Sequence, residues 1–330
     1  MRPLMGGALH RRQWLAQSLV LSLLSTGLSS AQASDKTALR LVVGFAPGGN
    51  VDWVARVLGE KLRPLLGRIV IVDNKPGAGG RIGLNEVRRA APNGNTLTVT
   101  VDAPLTMYPW TVAKLEYDPV KDFTPIARVA SFDYAFAVAG GHPAQTIKAF
   151  AEWARQNPKE ASYASPGLGS GPSFVAQEIA KNFKVTLTDV PYRGGAAANG
   201  DVIGGTIAAT SGVLPDIIEF HRSGKLRILA VGSAKRSPLL PDVPTLRESG
   251  VAFEGAISVS VYGPPALPAS LVAVLLKAIQ DVLDDAGTRA QFAKQGLTVA
   301  PLPPEQLAIA QATDTRLWQG IIKASGYLPQ

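Results

Sequence analysis

The chain has 330 residues, 46% hydrophobic and 18% charged, with a formal net charge of +8 and no cysteine. This excludes a disordered chain, disulfides and thiolate metal sites, and the length suits two domains rather than one. No run of Lys and Arg is interleaved with aromatics, so nucleic acid is not an expected partner.

The chain opens on His10-Arg11-Arg12, an apolar stretch from Trp14 to Leu28, and Ala31-Gln32-Ala33, with no acidic residue before Asp35. This is the pattern of a secretory signal over residues 1–33, cleaved near Ala33, and it implies a periplasmic protein. The apolar stretch is shorter than the roughly 20 residues that a bilayer span needs. Arg11-Arg12-Gln13-Trp14-Leu15 leaves the twin-arginine and general export routes both open. Cleavage removes three of the 33 basic residues and none of the 25 acidic ones, leaving a formal +5. Such a balance suits a soluble protein that meets anionic ligands.

Leu41-Val42-Val43 reads as the end of a buried parallel strand, and Gly44 to Gly49 as a glycine turn. A helix is expected from about Val51 to Leu66, with Asn50 as its N-cap and Asp52 in its first turn. Ile69 to Val72 is a second strand, followed by the glycine turn Pro76-Gly77-Ala78-Gly79-Gly80 and a helix from about Ile82 to Ala90. Thr96 to Val101 reads as an alternating third strand. The order β-α-β-α-β predicts a parallel, doubly wound sheet with both turns at the carboxyl ends of its strands, where such sheets bind ligands.

Tyr117 to Phe123 is a polar connection, and Ala135 to Val138 a strand crossing between domains. A second series follows: a helix over Thr146 to Gln156, a strand at Ser162 to Ala164, and a small-residue turn from Ser165 to Ser173 leading into a helix through about Lys184. Tyr192-Arg193-Gly194-Gly195-Ala196 is a fourth turn, before a helix from Ala197 to Ile203. Strands are expected at Ile207 to Thr210 and Arg227 to Val231, and helices at Leu271 to Asp284 and Glu305 to Ser325. Trp153 and Trp318 fall on amphipathic helices and read as core or domain-interface anchors.

Four turns at strand ends, two in each half, can present backbone N–H groups and helix N-termini to one small anion. They supply no acidic cluster for a cation. His142 and His221 stand alone without paired ligand spacing, so neither a metal nor a cofactor is expected. No nucleophile elbow, phosphate-binding loop or dinucleotide fingerprint occurs, so the chain does not read as an enzyme.

The motifs Phe45-Ala46-Pro47-Gly48-Gly49 through Asp52, Pro76 to Gly80 with Ile82-Gly83, Tyr117-Asp118-Pro119 with Lys121-Asp122-Phe123, and Ser165, Gly167, Gly169 and Ser170 stand in one order. Val190 to Gly195 with Asp201, Arg236-Ser237-Pro238 and Leu240 to Thr245 complete the series. Together they resemble the periplasmic solute receptors of tripartite tricarboxylate transporters, the Bug receptors, over essentially the whole mature chain.

The resemblance implies a two-lobed type II periplasmic-binding fold, α/β with doubly wound mixed sheets and a ligand cleft between the lobes. Lobe 1 would take residues 34–136 and 257–330, and lobe 2 residues 137–256. It implies capture of a small organic carboxylate and delivery to membrane subunits of a tripartite transporter, by a monomer. Contacts are expected from Phe45, Ala46, Pro47, Gly48, Gly49, Asn50 and Asp52, and from Ala78, Gly79 and Gly80. The second lobe would add Ser165, Gly169, Ser170, Tyr192, Arg193, Gly194, Gly195, Ala196 and Gly212. Asp52 also reads as a plain helix-start charge, and Arg193 as a solvated rim residue. Some members carry an acid where Gly212 stands, so its absence points to ligands without an amino group. The competing readings are a periplasmic sensor or chemoreceptor-type protein, an exported enzyme acting on a carboxylate, and a ligand-sensing regulatory domain.

Overall fold

The first five strands and helices form as their side-chain patterns dictate. The structure, a computed structural model, describes residues 38–192 and 194–330; the expected signal segment, its cleavage site and Arg193 lie outside the described residues. β1 (Leu39–Val43) is buried along nearly its whole length, as a parallel strand covered on both faces must be. The helix Asn50–Leu66 follows and buries Val51, Val54, Ala55, Leu58 and Leu62, a stripe at three- and four-residue spacing. It stops at Gly67, whose φ of 63° ends the helix in the left-handed region. β2 (Val70–Asn74), the helix Arg81–Val87 and β3 (Thr96–Val101) complete the series. β1 is parallel to both β2 and β3, as the element order requires. β3 does not alternate: Leu97 to Thr100 are all buried, because β3 is a central strand with β1 on one side and β9 (Ala256–Gly263) on the other.

The first two glycine turns pack backbone against backbone at the carboxyl ends of β1 and β2. A Cβ on Gly44 would lie 2.6 Å from the Cα and the carbonyl oxygen of Gly80, so a side chain there would force the turns apart.

β4 (Thr124–Ala139) is 16 residues long, much longer than the crossing strand expected at 135–138. The chain then adds β5 (Ser162–Ser165), β6 (Thr188–Pro191), β7 (Ala209–Val213) and β8 (Leu226–Val231), returns through β9, and ends with β10 (Thr298–Leu302) and the helix Pro304–Ser325. β4 changes partners midway. From Thr124 to Asp133 it pairs antiparallel with β9 and β10; from Tyr134 onward it pairs with β7 and β8. The strand order is β2-β1-β3-β9-β4-β7-β5-β6, with β8 and β10 also on β4. The result is a curled mixed sheet in a two-lobed α/β fold, and β4 is the element common to both lobes.

Trp318, on the C-terminal helix and 3% exposed, sits where the lobes meet. Its ring lies 5.9 Å from those of Tyr134 and Phe253 and 6.3 Å from that of Phe174, edge-on or tilted as aromatic quadrupoles favour. Trp153 instead stacks on Phe150, 5.8 Å away, within the second lobe. Among the described residues no helix is long and apolar enough to cross a membrane.

Candidate ligand cleft

All four turns contribute to one cavity of about 780 Å³ between the lobes. Ten of the expected contact residues line it: Phe45, Gly49 and Asn50 from the first turn, Ala78 and Gly79 from the second, Gly169 and Ser170 from the third, Gly194 and Gly195 from the fourth, and Gly212 on β7. Three helices begin at this wall, Asn50–Leu66, Gly171–Phe183 and Gly195–Ile203. The opening N–H groups of a helix have no partner within it, so each start offers donors and the positive end of a dipole. The remaining lining is largely apolar, with Val101, Met107, Phe132, Leu168 and Ile257 among it.

Several expected contact residues do other work or stand back from the wall. Asp52 is 2% exposed and accepts hydrogen bonds from Arg56 Nε at 2.8 Å, the Gly48 N–H at 2.8 Å and Asn74 Nδ2 at 2.9 Å. Burial pushes its carboxyl up, but these donors outweigh burial and hold it below the ordinary value. Asp52 therefore braces the first turn from behind. Gly49, with extended backbone, is the N-cap of the first helix, and Asn50 is its first helical residue, which frees the Asn50 amide to face the cleft. Ser165 is fully buried and donates to Asp189 Oδ1 at 2.7 Å, while Ser173 donates to Asp189 Oδ2 at 2.5 Å, so this acid ties the third turn to the helix behind it. The Tyr192 hydroxyl donates to Asp201 and is not part of the cavity wall. Ala46, Pro47, Gly48, Gly80 and Ala196 are likewise not among the lining residues, and Arg193 lies outside the described residues.

Other residues of the wall carry no local sequence signal. Tyr108 donates to the Gly79 carbonyl at 3.1 Å, and a Cβ on Gly79, whose φ is 64°, would sit 2.1 Å from that hydroxyl. Arg81 donates through Nε to the Ala78 carbonyl at 3.0 Å and approaches Glu116 at 3.8 Å, so its guanidinium braces the second turn. From the C-terminal segment, Tyr327 packs edge-on against Phe174 at 5.6 Å and lines the cavity, and Gln330 pairs with the backbone of Thr111 and Ala113.

Two acids also face the cavity. Asp102, at the end of β3, accepts from the Ser258 N–H at 3.2 Å; burial pushes its carboxyl up to about 7, and the nearby Asp314 charge adds to the push. Asp216, in the first turn of the helix Leu214–Arg222, has its carboxyl raised by burial, partly offset by the Asn50 amide. Among the described residues, no group of three or more His, Cys, Asp or Glu is placed to hold a metal ion.

A cleft between two α/β lobes, walled by helix N-termini and small-residue turns, defines a solute-binding protein of the periplasmic type. The family model "Tripartite tricarboxylate transporter family receptor" matches residues 54–327. Periplasmic binding protein BugD is 32% identical, with 89% of this chain and 99% of that one covered and a TM-score of 0.77. A Rhodopseudomonas palustris protein solved with adipate is 27% identical (89% and 99% covered, TM-score 0.81), and MatC from the same organism, solved with malate, is also 27% identical (86% and 98% covered, TM-score 0.74). The chain belongs to the tripartite tricarboxylate transporter receptor family.

Proposed function

We propose that this protein captures a small organic carboxylate between its lobes and delivers it to the membrane subunits of a tripartite tricarboxylate-type transporter. The observation that carries the reading is the convergence of three helix N-termini and four small-residue turns, drawn from both halves of the sheet, on one largely apolar cavity of about 780 Å³. Each helix start stabilises a carboxylate by about 0.3–1 kcal/mol when exposed and up to about 2 when partly buried. Summed with the apolar lining, that makes micromolar affinity, about −8 kcal/mol, reachable. The structures of relatives holding malate and adipate support a carboxylate of this size.

In this reading the ligand carboxylate rests on the N–H groups at Gly49–Asn50 and Gly169–Ser170, and the apolar part lies against Phe45 and Phe132. The lobes run over 34–136 with 257–330 and over 137–256, and closure turns on the crossing of β4 and on the return of the chain near Gly232 and Gly255. Residues 1–33 act as the export signal, the mature protein works as a periplasmic monomer, and its role is binding without turnover. A thermal-shift panel of mono-, di- and tricarboxylates, amino acids, sugars and metal ions tests the reading. A binder at a hundredfold excess over Kd stabilises the folded state by about 2.7 kcal/mol, and the panel should find it among the carboxyl-bearing compounds. Stabilisation by sugars or metal ions alone overturns it.

A further inference from the structure

Asp216 stands out among the side chains of the cleft because nothing in the fold uses it. Its Oδ1 receives only a long hydrogen bond, 3.4 Å, from the Asn50 amide across the cleft. Among the described residues it enters no ion pair. Space is kept for it: a Cβ on Gly195 would lie 2.6 Å from Asp216 Oδ2, so the small residue at the start of that helix leaves room for the carboxylate. The helix carrying Asp216 is anchored independently, since Asn199 Nδ2 donates to the Asp216 carbonyl at 2.9 Å and Thr210 donates to Asn199.

The charge around the cavity is also unbalanced for a purely anionic guest. Its described lining includes the carboxyls of Asp102 and Asp216 and one guanidinium, that of Arg81, which is engaged with the Ala78 carbonyl and Glu116. An unpaired carboxylate surrounded by protein calls for a cation, because burying a charge without a partner is costly. The Asn50–Asp216 contact also places this carboxylate beside the N-terminus of the first helix. A donor for an anion and an acceptor for a cation thus adjoin, with the spacing of a carboxylate and an ammonium on one carbon.

We propose that Asp216 is a specificity-determining residue and that the ligand is a carboxylate that also carries an ammonium group, received by Asp216 while the neighbouring helix start receives the carboxylate. This rests on the carboxylate-receptor reading above and narrows it to amino acids, the opposite of what Gly212 alone suggests. The relocation is physical: the acid enters the cleft from the first turn of the helix after β7 rather than from the strand.

The test is calorimetry on the mature chain, freed of carried ligand by unfolding and refolding, with matched pairs: succinate and aspartate, glutarate and glutamate, adipate and 2-aminoadipate. In at least one pair the amino form should bind about tenfold tighter or more, and in Asp216→Asn that advantage should vanish. A plain diacid that binds as tightly as its amino partner in every pair overturns the proposal, and so does an advantage that persists in Asp216→Asn. The wild-type ratios decide the matter even if the variant does not fold. Binding of plain diacids alone sinks this inference while sparing the carboxylate-receptor reading; binding of neither kind, with sugars or metal ions stabilising the protein instead, sinks both.

Discussion

Asp52 and Asp216 occupy matching places, each in the first turn of a helix that starts at the cleft, one in each lobe, yet their environments are opposite. Asp52 faces inward, is held by Arg56, the Gly48 N–H and Asn74, and its carboxyl stays below the ordinary range because these donors outweigh burial. Asp216 faces the cavity, has one long contact, and its carboxyl is raised by burial. The difference separates an acid consumed in holding a turn from an acid left available to a guest. It also distinguishes the lobes: the first lobe's turns are locked by an ion pair and by the Gly44–Gly80 backbone contact, while the second lobe's third turn is tied by hydroxyls to Asp189.

The largest effect should come from breaking the locked side. Asp52→Ala removes three hydrogen bonds to a charged group and should cost about 2–4 kcal/mol in urea unfolding, whereas Asp216→Asn should stay within about 0.5 kcal/mol of the wild type. Equal losses would erase the distinction. Next, Gly79→Val should abolish ligand binding, since its side chain would collide with Tyr108 at a position already in the left-handed region. Gly48→Val meets nothing within 4 Å, although its φ is 85°. It should cost about 1–2 kcal/mol of stability from backbone strain and reduce affinity less than Gly79→Val does. Circular dichroism beside calorimetry separates folding from binding.

Most of the framework was legible because strand–turn–helix units announce themselves: the helix expected at 51–66 is Asn50–Leu66, and the strand at 96–101 is Thr96–Val101. Thr146, the first residue of an expected helix, is the N-cap of Ile147–Gln156, its hydroxyl accepting from the Ala149 N–H at 3.1 Å. What escaped was held by distant partners. β9, the first half of β4 and β10 carry no strong local period and exist through their mutual antiparallel pairing. The helix Leu214–Arg222, which brings Asp216 into the wall, starts at a Val-Leu-Pro sequence without a capping side chain. Tyr327, Tyr108 and Asp102 reach the cleft from separate elements, so no spacing in the chain could group them. The glycine turns were readable; the side chains opposite them were not.

A smaller effect is expected in the pH dependence of stability. The Asp102 carboxyl titrates near 7 in the folded protein and close to its ordinary value of 3.8 when unfolded. Between these values the folded state holds a proton that the unfolded state has lost, so Asp102 favours folding fully below about pH 4, and that contribution declines as the pH rises to about 7. Thermal unfolding of Asp102→Asn from pH 4 to 8 should therefore show a shallower decline with rising pH than the wild type. Parallel curves would place the titrating group elsewhere. Asp52 acts with the opposite sign: its contribution is present above the unfolded carboxylate value and is lost as the pH falls through its lowered folded value.

The central claim is that the cleft between the lobes holds one small carboxyl-bearing molecule, and native mass spectrometry of the gently purified exported protein tests it most directly. The account predicts a noncovalent adduct with the mass of a single small organic acid, present on the wild type and missing from a folded Gly79→Val variant. An adduct with the mass of a sugar or a metal ion, or an organic-acid adduct of undiminished occupancy on Gly79→Val, would contradict it.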